Sequence, residues 1–153
     1  MILVIGIGNP ARGDDAAGLA VARRIREAAP GHVTVTELAG DQLALLDAWT
    51  GAREVYLIDA VCSGGTPGTV YGFDAAEPLT ARFWHRGTHT FSLADVIELG
   101  RALSRLPGRL SGYGIEGGTF ELGAPLSAEV DAAVQAVTAA LLRELRESSS
   151  RAG

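Results

Sequence analysis

The residues Ile2–Ile7 (ILVIGI) form an unbroken apolar run followed by Gly8, and a strand with no polar face has to be covered on both sides. The next segments can supply that cover. From Asp14 to about Ala28, apolar residues recur at Ala17, Val21, Ile25 and Ala28, while Arg23, Arg24, Arg26 and Glu27 mark a wet face, the period of an amphipathic helix. Pro30 and Gly31 end it. His32–Leu38 (HVTVTEL) is a β-branched strand, Asp41 is placed to cap a short helix through Trp49, and Glu54–Ile58 (EVYLI) is a third strand. A β-α-β-α-β alternation requires crossover connections and therefore a parallel sheet between helices.

The second half continues the pattern with a change of rhythm. The turn-rich SGGTPG (Ser63–Gly68) leads into a strand at Thr69–Phe73, and a polar loop carries His85 and His89. Ser92 and Asp95 have capping-box spacing ahead of a helix whose stripe is Leu93, Val96, Ile97, Gly100 and Leu103. Leu110–Ile115 reads as the last strand. The final helix runs from about Ser127 to Leu145 with Val130, Val134, Val137, Leu141 and Leu145 on one side. The fold expected is α/β, a three-layer sandwich with a mostly parallel, five-stranded twisted sheet and helices on both faces. One domain is expected over residues 1–147, with a disordered tail over 148–153.

Composition narrows the function. The 13 basic residues, all Arg, are outnumbered by 18 acidic ones for a net charge of -5, and no basic block offers a nucleic-acid footprint. No apolar run reaches membrane-spanning length. The MILVIGIG opening lacks a positively charged start and a small-residue cleavage site, and the lone Cys62 has no partner for an internal disulfide, so the cytoplasm is the expected compartment; the chain is also expected to act as a monomer.

In open α/β sheets, chemistry gathers beyond the carboxyl ends of the strands, and three loops there carry suitable groups. GIGNPARGDD delivers Asp14 and Asp15 at the start of the first helix. Asp14 suits the helix N-cap and Asp15 the first turn, where the macrodipole favours negative charge. Asp59 directly follows the buried YLI, and His89 precedes a helix. Two carboxylates and an imidazole suit a divalent transition metal, and equally an acid–base pair. Gly6-x-Gly8 with Glu37 at the end of the second strand imitates a dinucleotide site, but Asn9-Pro10 interrupts the turn and the Asp pair would repel a pyrophosphate. Cys62 reads as a small buried side chain rather than a nucleophile. Trp49 and Trp84 read as packing residues.

The segments ILVIGIGNPARGDDAAG, YLIDAVCSGGTPGTV, THTFSLADVI and GYGIEGGTFELGAPLSAEV, in that order, resemble those of the hydrogenase maturation proteases, which trim a C-terminal extension from the large subunit of nickel–iron hydrogenases. The resemblance implies an endopeptidase whose partner is a hydrogenase large-subunit precursor. It implies a metal-contacting site at Asp15, Asp59 and His89, with the nickel carried by the substrate and no permanently bound metal. Two alternatives are a non-catalytic metal-sensing assembly protein and an esterase similar to the peptidyl-tRNA hydrolases, whose opening GIGNP resembles. The latter needs a histidine soon after that motif, whereas the first here is His32.

Overall fold

The computed structural model describes residues 1–84 and 92–152. Strands β1 (Ile2–Ile7), β2 (Val33–Leu38), β3 (Glu54–Val61), β4 (Val70–Asp74) and β5 (Arg109–Glu116) form one five-stranded sheet in the order β2-β1-β3-β5-β4. All pairings are parallel except that of β4, which runs antiparallel to β5 at the edge. Four α-helices among the described residues, α1 (Ala17–Ala28), α2 (Gln42–Trp49), α3 (Leu93–Ala102) and α4 (Ala128–Ala152), accompany the sheet.

The apolar run of β1 divides its side chains between two cores, as the period of a strand requires. Ile2 and Val4 pack with Val21 and Ile25 of α1 and Val134 and Leu141 of α4. Leu3, Ile5 and Ile7 pack with Leu45, Leu46 and Trp49 of α2 and Val96 and Ile97 of α3. The sheet is thus the middle of three layers. On α4, Val130, Val134, Val137, Leu141 and Leu145 are all 1% exposed or less; burial contributes about 1.5–3 kcal/mol per side chain of this kind, so the stripe rather than helix propensity holds the helix down.

Caps follow the expected chemistry. Asp41 accepts from the N–H groups of Leu43 and Ala44, and Ser92 and Asp95 form the reciprocal capping box. Beyond one-residue shifts at the ends of β2, β4 and β5, three boundaries differ from expectation for reasons the contacts show. β3 continues through Asp59 to Val61 because β5 pairs with it that far, residue for residue. Leu103 is 51% exposed, since α3 stops one residue earlier. The expected disordered tail is replaced by helix to Ala152: Ser148 is buried on the packed side, where its hydroxyl donates to Glu54 at the start of β3.

Gly18 sets how closely α1 sits on the sheet. A Cβ there would lie 2.3 Å from the carbonyl oxygen of Ile58 and 2.6 Å from that of Ile7. Gly18→Ala gains about 1 kcal/mol in helix propensity, but both obstacles are backbone and overpacking costs up to about 3 kcal/mol. A net loss of about 2 kcal/mol is expected, seen in thermal unfolding as a Tm lower by about 4–8 °C.

Candidate active site

Strand order reverses between β1 and β3: the chain passes from β1 to β2 on one side, then crosses to β3 on the other. That switch point is where an α/β sheet opens a crevice at its carboxyl end. β1 stops pairing with β3 at Gly6 and Ile58, while β3 runs on beside β5. Asp59 is the first residue of β3 past that pairing.

The loop after β1 owes its shape to its own sequence. Asn9 turns it by accepting from the N–H of Ala11, 2.9 Å, and its own N–H donates to Asp15 Oδ2, 2.9 Å. Gly8 lets the loop close, because a Cβ there would lie 2.0 Å from the carbonyl oxygen of Asp15. A single 3₁₀ turn, Gly13–Ala16, then leads into α1 and carries both aspartates.

The two aspartates do different work. Asp14 is fully buried and does not cap the helix, the position expected from its place in the sequence; Arg12 stands at the start of the turn with no side-chain cap. Asp14 reaches instead across to the β5–α4 connection. Its Oδ2 accepts from the N–H of Gly118 at 2.9 Å, the N–H of Thr119 at 3.1 Å and the hydroxyl of Ser127 at 3.0 Å, while Oδ1 accepts from the N–H of Ser127 at 2.7 Å. Burial pushes its pKa up, but these four donors outweigh that and hold it below the usual carboxylate value. Asp14 is an anchor whose partners arrive more than 100 positions along the chain, which no local pattern announces.

Asp15, in the turn that follows the loop after β1, is 2% exposed, and Asp59, past the β1–β3 pairing on β3, is 8% exposed. The two are near enough to interact: burial and then the negative charge of Asp15 drive the Asp59 carboxyl well above its ordinary pKa, against the N–H of Ala60, which donates to Oδ1 at 2.8 Å. Two of the three residues selected from sequence are therefore near enough for the charge of one to act on the other. The third, His89, lies outside the described residues, as does His85. Among the described residues, no group of three His, Cys, Asp or Glu side chains is arranged to hold a metal ion.

Other candidates resolve into structural roles. Glu37 is bridged by Arg23 and Arg26 of α1 at 2.9 and 2.7 Å, which occupies the carboxylate that imitated a ribose ligand. Trp49 is a core residue whose indole N–H donates to the Arg105 carbonyl. Cys62 is exposed rather than buried; partial burial of the thiol, with the charges of Glu116 and Asp15, still raises its pKa and disfavours the thiolate that a nucleophile needs. No helix among the described residues is long and apolar enough to cross a membrane.

Sequence reasoning overlooked Glu116, which ends β5 fully buried inside the chain. The available signal was a charge between apolar residues and a glycine pair in GIEGG, at the strand end where YLID also places its acid.

The architecture agrees with known proteins. The chain is similar to the hydrogenase 2 maturation protease of Escherichia coli (strain K12), with 27% identity over 99% of this chain and 94% of that protein. It is 29% identical to the hydrogenase expression/formation protein HupD of Rhodobacter capsulatus, over 95% of this chain and 71% of that one. Among solved structures, the hydrogenase maturating endopeptidase HybD from E. coli superposes with a TM-score of 0.74 at 25% identity, covering 96% of this chain and 93% of that chain. The family described as HycI, hydrogenase maturation protease, matches residues 19–144, a span that includes Asp59 and His89 and begins just after Asp15. With that match over most of its length and a common fold beneath it, the chain belongs to the hydrogenase maturation proteases, a family of peptidases.

Proposed function

We propose that this protein is an endopeptidase that removes a C-terminal extension from the large-subunit precursor of a nickel–iron hydrogenase, acting in the cytoplasm as a single chain once nickel is in place. The observation that supports this most is the closeness of Asp15 and Asp59, both buried at the carboxyl end of the sheet and near enough for the charge of one to act on the other. Two carboxylates held together away from water repel each other, and a divalent cation relieves that repulsion.

In this reading the nickel belongs to the substrate. Asp15 and Asp59 supply oxygen ligands and His89 a nitrogen, a set that suits a divalent transition metal and leaves positions for the precursor's own ligands. Without the cation, burial and the Asp15 charge favour a proton on Asp59; with it, the carboxylate is favoured. Hydrolysis has two routes open to such a site: a carboxylate activates water as general base, or the metal polarises the scissile carbonyl.

The test is to incubate the protein with nickel-loaded and nickel-free precursor and follow the mass of the large subunit. Only the loaded form is expected to be shortened. Equal cleavage of both would overturn the part given to nickel, and tight binding without cleavage would replace the peptidase by a metal-sensing assembly protein.

A further inference from the structure

The loop of residues 62–69 leaves the carboxyl end of β3, starting three residues after Asp59, and Glu116 holds it at both ends. Through its main chain, Glu116 accepts from the N–H of Gly68 at 2.8 Å and donates to the carbonyl of Thr69 at 2.9 Å, fixing the far end. Its side chain fixes the near end. The carboxylate accepts from the N–H of Ser63 at 2.8 Å, from the Ser63 hydroxyl and from the Tyr71 hydroxyl at 2.9 Å, with the N–H of Gly65 as a further donor. Arg82 closes the arrangement from outside: its Nη1 donates to Ser63 Oγ at 2.9 Å and stands 3.7 Å from Glu116, with the guanidinium over the Tyr71 ring at 5.4 Å.

Nothing in the proposed chemistry uses this carboxylate, yet it is fully buried, a position that costs several kcal/mol unless every oxygen is satisfied. Burial raises its pKa, but the donors from Ser63, Tyr71 and Gly65 prevail and keep it charged. The loop is fitted to it: a Cβ on Gly65 would lie 2.7 Å from both Arg82 Nη1 and the Tyr71 hydroxyl and 2.8 Å from Glu116 Oε1. The anchored residues Ser63, Gly65 and Gly68 are half-buried, whereas Cys62, Gly64, Thr66 and Pro67 between them are exposed. The loop is therefore tied down from below and presents its other side to solvent beside Asp59. Cys62 at its start is near enough to feel the charge of Asp15.

We propose that Glu116 is a positioning residue for substrate docking: it holds loop 62–69 as a preformed rim against which the precursor chain lies as its cleavage point enters the crevice. This role rests on the peptidase reading. Asp59 itself is held by the β3–β5 ladder, independently of the Glu116 side chain, so the role concerns binding of the substrate rather than the chemical step.

The experiment compares wild type with Glu116→Gln and Tyr71→Phe, measuring amide hydrogen exchange and processing kinetics on nickel-loaded precursor. The glutamine keeps one acceptor oxygen and turns an NH₂ toward donors, while the phenylalanine removes one donor and leaves the buried acid, securing a folded protein. In Glu116→Gln, exchange at Ser63 and Gly65 is expected to quicken by at least about tenfold. KM should rise by about five- to tenfold with kcat within about twofold; Tyr71→Phe moves both readouts the same way by less. A loop that stays protected, a KM that does not change, or a fall in kcat alone would overturn the docking role. A wild-type protein that processed no precursor would instead overturn the peptidase reading and this role with it.

Discussion

Asp59→Asn is expected to end processing while making the protein more stable at neutral pH. Loss of one member of an acid–base or metal-binding pair should lower the processing rate by at least about a hundredfold. The gain in stability comes from the same position. The Asp59 pKa is raised in the folded state, chiefly by burial and next by the charge of Asp15, so the folded protein holds this proton more tightly than the unfolded chain. A group shifted upward contributes stability that is present below its unfolded pKa, near the ordinary aspartate value of 3.8, and lost as pH rises through the folded value. Wild type therefore loses stability across that window and the asparagine variant does not. Thermal unfolding from pH 3.5 to 7.5 should show the two Tm values close together in acid and diverging as pH rises. At pH 7 the variant should lie above wild type by about 1 kcal/mol, or about 2–4 °C. A variant less stable than wild type at pH 7 would contradict this account of the pair.

Asp14→Ala is expected to have the opposite character, although Asp14 is the immediate neighbour of Asp15 in the same turn. It strands the N–H groups of Gly118, Thr119 and Ser127 and the Ser127 hydroxyl, and orphaned buried donors cost about 1–3 kcal/mol each before relaxation. A total loss of about 3 kcal/mol or more, and a Tm lower by about 6–12 °C, is expected in calorimetry. The pH signature also reverses. Asp14 has a lowered folded pKa: burial raises it, and the donors outweigh burial. Its contribution is present above the unfolded value of 3.8 and lost as pH falls through the folded one. The gap between wild type and Asp14→Ala should thus narrow in acid. Asp14→Ala that unfolded like wild type at pH 7 would remove Asp14 as the anchor.

The fold was legible because its determinants are local. The apolar run ILVIGI has no polar face, so it demands cover on both sides, and the helical period after it supplies one layer. Asp41 and the Ser92–Asp95 pair each act within three residues, within reach of sequence spacing. Boundaries were legible only where the deciding contact was near. Ser148 looked like the start of a polar tail because its partner, Glu54, is 94 positions away.

The site divides the same way. Asp15 and Asp59 stood out because strand ends are where chemistry collects, and matching their order to one family gave them a joint purpose. That the charge of one acts on the proton of the other depends on β3 lying beside β1, on the side away from β2. The division of labour in the Asp14-Asp15 pair, one carboxylate spent on Gly118, Thr119 and Ser127 and the other accepting from the Asn9 N–H within its own loop, was likewise invisible, as was Glu116 beneath loop 62–69. By itself the sequence determined the layers, the strands and the acids at their ends, because periodicity and capping act over a few residues. Tertiary structure alone decided that Asp14 is the anchor, because a buried carboxylate takes its role from donors that arrive from distant parts of the chain.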